Sequence, residues 1–211
     1  MTVGQDGMPA GASGAWGSAG ATRAPVLLID GRSGSGKTSL AAAVAGALTD
    51  STVVHMDDLY PGWDGLDEGS VLLTESVLRP LSAGLPAVWR RWDWHRSERA
   101  EAHVVDPSIP LVVEGCGALS RASARLAASS IWLDAPPPMR EGRLSRRDGT
   151  VEWWPAWTVQ EDAFIARERP DALADVVLDG GAASEEVLAR ALEALSAGVH
   201  GVTWDRWLAA R

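Results

Sequence analysis

The sequence of 211 residues is short of several residue types, and each shortage excludes a class of protein. A single cysteine, Cys116, excludes an internal disulfide. No apolar run reaches the roughly 18 residues of a membrane span, and no basic stretch leads into an apolar one as in a signal peptide. With 19 basic against 28 acidic residues, the net charge of −9 argues against nucleic acid as a partner. We therefore expect a cytoplasmic protein that binds neither nucleic acid nor membrane.

Lysine is almost missing as well, because Lys37 is the only lysine among the 19 basic residues. It stands in GRSGSGKTS, which matches the phosphate-loop pattern G-x-x-x-x-G-K-[ST]. Small residues let backbone N–H groups converge on phosphate oxygens, and a compact ammonium fits that cradle better than a planar guanidinium. The motif predicts bound ATP, with the Thr38 hydroxyl on Mg²⁺. The predicted nucleotide-binding residues are Gly31, Ser33, Gly34, Ser35, Gly36, Lys37, Thr38 and Ser39.

Five short apolar runs alternate with helical segments along the chain. They are Pro25–Asp30, Thr52–Met56, Pro110–Gly115, Ser130–Pro136 and Ala174–Gly181. Continuous apolar runs indicate strands buried on both faces, and their alternation with helices predicts a parallel sheet covered on both sides. We therefore predict an α/β fold, a three-layer P-loop NTPase sandwich with a five-stranded, mainly parallel sheet and a small lid.

The chain divides into a leader and one domain. Residues 1–23 are rich in Gly, Ala and Ser without periodicity, which predicts a flexible leader. Residues 24–211 are predicted to form one phosphate-loop domain, with a lid over about 138–157. The aromatic and charged segment Pro86–Glu98 is predicted to be a strand or one arm of a hairpin.

Acidic residues stand at the ends of three predicted strands, where doubly wound sheets bind their ligands. Asp57 directly follows its strand, and a carboxylate there can accept the proton of an attacking hydroxyl. Asp58 is the alternative base, and a solvated turn is the structural alternative for both. Glu114 is predicted to join Thr38 at the Mg²⁺ site, and the alternative is a strand-end carboxylate that caps a nearby helix. Asp134 is as well explained by a turn or a cap.

Three arginines share one face of a predicted helix. Arg140, Arg143 and Arg147 are spaced i, i+3 and i+7. A stripe of guanidinium groups suits a lid that closes over a triphosphate, where charge spreads over the phosphoryl oxygens. We predict that these arginines act with Lys37 and Asp57 in catalysis. The alternative is a solvated basic face.

Tryptophan is unusually frequent, with 11 residues against one Phe and one Tyr. In RRWDWHRSE, strand alternation would point Trp92 and Trp94 to one side and Asp93 to the other. Stacking rings beside a hydrogen-bonding acid would suit a flat, polyhydroxylated substrate. The alternative is core packing of the two tryptophans with Asp93 on the surface.

Other classes of phosphate-loop protein lack their motifs here. The guanine-reading motif [NT]-K-x-D of switch GTPases cannot occur, because the one lysine lies in the phosphate loop. The chain also has no D-x-x-G motif of that class and no LSGGQ-like stretch of an ABC-type ATPase. A compact phosphotransferase is the class that remains.

The motifs GRSGSGKTS, HMDDLY, RRWDWH, LVVEG, REGRLSRRD and ADVVLDGG occur in this order. Together they resemble the uridine kinase and phosphoribulokinase group of P-loop kinases over roughly residues 26–181. The resemblance implies ATP and Mg²⁺ as cofactors, with Asp57 as the base that activates the substrate hydroxyl. It also implies a role for the following residues: Tyr60 lines the site, Trp92, Asp93 and Trp94 contact a nucleoside, Glu114 is the Walker-B acid, and Arg140, Arg143 and Arg147 belong to the lid.

The resemblance departs from the family pattern in the substrate region. The family histidine that follows the aromatic-Asp-aromatic stretch would fall at Ser97, and His95 is out of register. We therefore expect a kinase that transfers the γ-phosphoryl of Mg·ATP to the hydroxyl of a small-molecule acceptor, with a nucleoside first. Another small alcohol, as in pantothenate kinases, a nucleotide acceptor held by Arg90 and Arg91, and a regulator with little turnover are the alternatives. The choice between monomer and homo-oligomer stays open.

Overall fold

The computed structural model describes residues 23–198, 202 and 204–209. The predicted leader therefore lies outside the described residues, apart from Arg23. The strands are β1 (Val26–Asp30), β2 (Thr52–His55), β3 (Ala87–Asp93), β4 (Glu98–Val105), β5 (Leu111–Glu114), β6 (Ser129–Asp134) and β7 (Val176–Asp179). Five of them form one sheet in the order β2-β5-β1-β6-β7, and every neighbouring pair in it is parallel. The predicted α/β fold with a five-stranded parallel sheet is confirmed.

Helices fill the connections between the strands. They are α1 (Lys37–Ala47), α2 (Leu66–Leu72), α3 (Arg79–Ser82), α4 (Arg121–Ala124), α5 (Pro137–Asp148), α6 (Trp154–Glu168), α7 (Pro170–Leu173) and α8 (Ser184–Ala197). A 3₁₀ turn, Met56–Asp58, directly follows β2, and a π-helical segment, Leu73–Leu78, joins α2 to α3. Of the helices in the described residues, none is both long and apolar enough to cross a bilayer.

The central strand shows why its sequence is continuously apolar. Successive side chains of β1 point to opposite faces of the sheet. Val26 and Leu28 pack into one core with Tyr60 and α6, whereas Leu27 and Ile29 pack into a second core with α1 and α8. All five residues of β1 are buried. Both faces of the sheet are therefore covered by helices, which is the three-layer arrangement.

The segment around residues 86–98 forms most of a separate hairpin. Strands β3 and β4 pair antiparallel in a two-stranded sheet, and their register shifts between Arg90 and Trp92. Ala87, Trp89 and Val105 anchor the hairpin in the core that contains Tyr60. The hairpin therefore stands beside the main sheet and not in it.

The end of the described chain closes the second core. Trp204 is fully buried in that core, and its Nε1 donates to Ser129 Oγ at 3.1 Å. Backbone bonds join Thr49 N to Trp207 O at 2.7 Å and Ala209 N to Ala47 O at 2.9 Å. This segment therefore covers the C-terminal end of α1.

We predict that Trp204→Ala lowers the free energy of unfolding by about 3–5 kcal/mol, because it leaves a large cavity and removes the hydrogen bond to Ser129. Urea denaturation followed by far-UV circular dichroism measures the change. Trp207→Ala is the matched control, since Trp207 lies on the same turn but is only partly buried, and we expect it to cost about 1 kcal/mol. Equal losses in the two variants would contradict the role given to Trp204.

Candidate functional site

A cavity of about 810 Å³ opens at the carboxyl ends of the sheet strands. Its walls come from the phosphate loop after β1, the 3₁₀ turn after β2, the end of β5, helix α5 and the starts of α6 and α8. The parallel sheet causes this convergence, because each connection leaves its strand at the same edge. Residues as far apart in sequence as Ser33 and Val187 thereby face one space.

The phosphate loop holds a backbone shape that depends on glycine. Gly34 has a φ of 81°, and a Cβ there would lie 2.7 Å from Arg140 O. Gly36 has a φ of 108°, in the left-handed region, where it precedes the first residue of α1. Ser35 N donates to Arg32 O at 3.1 Å, which closes the turn. The loop thus presents the N terminus of α1, with its partial positive charge, to the cavity.

Lys37 extends from the first turn of α1 across this loop. Its Nζ donates to Arg32 O at 3.0 Å and lies 3.5 Å from Cys116 Sγ. Burial by itself would lower the pKa of Lys37, but Cys116, Glu114 and Asp30 raise it above the usual lysine value. The ammonium group therefore stays charged while it lines the cavity.

Thr38 and Glu114 form the candidate magnesium site. Thr38 Oγ1 donates to Glu114 Oε1 at 3.1 Å, and His55 Nδ1 lies 2.7 Å from the same oxygen. The hydrogen bond with Glu114 raises the pKa of His55. Within the described ranges, no group of three or more His, Cys, Asp or Glu side chains could hold a metal. One hydroxyl and one carboxylate fit Mg²⁺, which binds few protein oxygens and completes its shell with phosphates and water.

Asp57 is the carboxylate that lines the cavity beside this site, and Asp58 is not among the lining residues. By surface area the Asp57 side chain is exposed in the open cleft, yet the protein around it withdraws its carboxylate from bulk solvent. This partial burial raises the pKa of Asp57, and the charge of Glu114 raises it further. Lys37 and Arg147 act in the opposite direction. The pKa of Asp57 is therefore higher than in an exposed turn.

The three arginines of α5 differ in position although they share one helical face. Arg143 lines the cavity, and it donates to Ser35 O at 2.9 Å and to Gly180 O at 2.8 Å. Arg147 also lines the cavity and forms a bidentate pair with Asp148, at 2.6 and 2.9 Å. Arg143 and Arg147 are therefore the two of the three that face the cavity.

Arg140 lies beneath the phosphate loop, outside the cavity lining. It is 4% exposed, donates to Ala135 O at 3.1 Å and to Ser33 O at 3.3 Å, and stacks on Trp154. Burial lowers its pKa. Arg140 thus supports the backbone of the loop, and its direct part in catalysis stays a prediction.

Aromatic side chains line the end of the cavity next to Asp57. They are Tyr60, Trp63, Trp94, Trp153 and Trp157. Tyr60 is buried, and its hydroxyl donates to Cys116 O at 2.6 Å. Trp63 stacks on Trp153 with ring centroids 5.6 Å apart and contacts Trp94 at 5.0 Å. Trp94 Nε1 donates to Asp57 O at 3.0 Å, which ties the hairpin to the 3₁₀ turn.

The predicted trio Trp92, Asp93 and Trp94 is split by the fold. Only Trp94 lines the cavity. Trp92 packs under the Arg99 guanidinium, with 5.3 Å to the ring centroid. Asp93 accepts the backbone N–H groups of Arg96 and His95, at 3.1 and 3.0 Å, and these bonds lower its pKa. Asp93 therefore caps the hairpin turn. The spacing of residues in the sequence does not distinguish this structural role from a contact with substrate.

Two buried acidic residues beside the site, Asp30 and Glu161, were missed by the sequence patterns. Asp30 accepts N–H bonds from Gly31 at 2.6 Å, Gly117 at 3.2 Å and Leu119 at 2.8 Å, and burial raises its pKa to about 7. Glu161 of α6 accepts the backbone N–H of Ser33, in the phosphate loop, at 2.7 Å. The signal for Asp30 was its place between a buried strand and a glycine, whereas Glu161 stands in a helix with nothing local to mark it.

Solved structures resemble this fold. A possible uridine kinase from Bacillus stearothermophilus is 24% identical with a TM-score of 0.55, covering 75% of this chain and 90% of that one. A sugar kinase from Janibacter sp. HTCC2649 is 20% identical with a TM-score of 0.50, covering 81% and 93%. A gluconokinase from Sinorhizobium meliloti 1021 is 20% identical with a TM-score of 0.51, covering 82% and 92%. No protein-family model matches the chain, and no curated protein matches it significantly in sequence. The fold is that of P-loop kinases.

Proposed function

We propose that this chain is an ATP-dependent small-molecule kinase that transfers the γ-phosphoryl group of ATP to a hydroxyl of its acceptor. The observation that carries the proposal is that Lys37 of the phosphate loop and the Asp57 carboxylate line the same cavity. A phosphate cradle with a carboxylate beside it is what phosphoryl transfer to an alcohol requires. The acidic composition agrees with a small-molecule partner and not with nucleic acid, and a cytoplasmic location is part of the proposal.

Each residue then has a role. The loop N–H groups and Lys37 hold the phosphates, and Thr38 and Glu114 would hold Mg²⁺, which when bound offsets the phosphate charge. Asp57 accepts the hydroxyl proton of the acceptor, the acceptor oxygen forms a bond to the γ-phosphorus, and the bond to the ADP oxygen breaks. Arg143 and Arg147 stabilise the charge on the transferred group. Helix α5 and the residues up to about 157 would serve as the lid.

A nucleoside is the acceptor we favour. The aromatic end of the cavity offers ring faces close to Asp57, and flat rings stack well on such surfaces. Three similar structures are described as a possible uridine kinase, a sugar kinase and a gluconokinase, so a sugar or another small alcohol is the second acceptor class. A phosphate-bearing acceptor is disfavoured, because Arg91 pairs with Glu101 and Arg90 donates to Ala100 O on the hairpin, outside the cavity lining.

We predict that Asp57→Ala lowers acceptor-dependent ADP release by about 10²–10⁴-fold, because the proton acceptor is removed. A coupled assay across nucleosides, sugars, small alcohols and nucleotides measures the rate. Asp58→Ala is the matched control, and we expect it to keep most of the activity. Nucleotide binding without turnover on any acceptor would instead support a regulator, and equal loss in both variants would contradict the role of Asp57.

We predict that Lys37→Arg abolishes nearly all phosphoryl transfer while the thermal midpoint of unfolding changes little. The wider, planar guanidinium does not fit the buried space between Arg32 O and Cys116 Sγ. Initial rates and differential scanning fluorimetry provide the two readouts. Arg146→Lys, an exposed change on α5, is the control for exchanging the two basic residues. Substantial activity in Lys37→Arg would refute the assignment.

We predict that the activity rises with pH along an acid limb that lies above the usual aspartate pKa of 3.8. Asp57 must be deprotonated to accept a proton, and its pKa is raised by burial and by Glu114, so the base form is lost as the pH falls through that raised value. A profile of kcat/KM against pH tests this. The His55→Gln variant should keep the acid limb. If the limb disappears in that variant, the titrating group is His55 and not Asp57.

A further inference from the structure

Glu161 of α6 holds the phosphate loop although it does not line the cavity. Its Oε1 accepts the backbone N–H of Ser33 at 2.7 Å and the thiol of Cys116 at 3.2 Å. Its Oε2 lies 3.5 Å from Arg32 Nη1. The side chain is 2% exposed, and burial of a carboxylate is costly unless hydrogen bonds and an opposite charge offset it. All of these partners belong to the phosphate loop or contact it.

Gln160, the preceding residue, holds a different segment, the one that carries Trp63 at the aromatic end of the cavity. Its Nε2 donates to Trp63 O at 2.6 Å, and its Oε1 accepts Leu66 N at 3.4 Å. These two bonds fix the segment between the 3₁₀ turn and α2, which carries Trp63 into the aromatic end of the cavity. Successive residues of an α-helix point about 100° apart, so two neighbours on α6 can reach two different loops.

We propose that Glu161 and Gln160 are positioning residues with separate tasks: Glu161 sets the phosphate loop for the nucleotide, and Gln160 sets the Trp63 segment for the acceptor. The acceptor half of this proposal rests on the proposed kinase function, whereas the nucleotide half requires only that the loop binds ATP. Loss of Glu161 leaves the Ser33 N–H without its acceptor. Arg32 then keeps only Asp162 of its two acidic partners, and its side chain is less restrained. The N–H groups of the phosphate loop are then no longer held in the orientation that binds phosphate oxygens.

The test compares Glu161→Ala, Glu161→Gln and Gln160→Ala with wild type. We expect Glu161→Ala to weaken ATP and ADP binding by at least about tenfold in titration calorimetry, the effect of one lost charge-assisted hydrogen bond. Glu161→Gln keeps an oxygen for Ser33 N and should lie between Ala and wild type. Asp162→Asn is the matched control: it also removes a carboxylate from Arg32, yet leaves Ser33 held, and should bind nucleotide within about twofold of wild type.

Gln160→Ala should give the opposite pattern. We expect unchanged nucleotide affinity and a KM for the acceptor raised by about tenfold, because two hydrogen bonds to the Trp63 segment are lost. Hydrogen exchange read by mass spectrometry supplies a measure that needs no turnover. Exchange should accelerate over residues 61–66 in Gln160→Ala and over residues 31–37 in Glu161→Ala. In each variant, exchange over the other segment should stay as in wild type.

Two results would overturn the proposal. In the first, folded Glu161→Ala binds ATP like wild type. In the second, the variants at 160 and 161 shift both loops and both constants alike, as a general loss of helix packing would. If wild type turns over no acceptor, the kinase function fails, while calorimetry and hydrogen exchange still decide whether the two residues hold their separate loops.

Discussion

The site depends on one constraint, the clamping of a phosphate loop that has no side-chain core of its own. Apart from Arg32 its residues are small, so neighbouring elements must hold its backbone. Asp30 accepts the Gly31 N–H below it, Arg140 and Arg143 donate to its carbonyl groups, and Glu161 accepts the Ser33 N–H from the outer side. A backbone that is held in advance loses little entropy when phosphates bind.

The contacts that hold the loop also set which charged side chains line the cavity. Lys37, Arg143 and Arg147 supply positive charge on the loop side, and Asp57 and Glu114 supply negative charge at the ends of β2 and β5. Asp148, which also lines the cavity, pairs with Arg147. In a chain with a net charge of −9, Lys37 and Arg143 beside a helix N terminus are where an anionic ligand is favoured. In the proposed function, Glu114 would face the metal ion and Asp57 the acceptor hydroxyl.

The sequence predicted the sheet well, because continuous apolar runs and glycine boundaries are local signals. It also predicted that Asp57 and Glu114 lie at the same edge of the sheet, since Glu114 ends β5 and Asp57 stands just after β2. It could not separate Asp93 from Trp94, because a hairpin turn and a substrate contact use the same residue types. Nor did periodicity reveal that Arg140 lies under the loop while Arg143 and Arg147 face the cavity.

The sequence by itself determined the phosphate loop, the parallel sheet and the short list of acids at strand ends, because those features are written in neighbouring residues. Only the tertiary structure decided which side chains share the cavity. Glu161 reaches Ser33 across 128 positions, and Trp63 meets Trp153 through the packing of α6. Such contacts depend on how elements dock, and docking is set by the burial of whole helix faces and not by any local pattern.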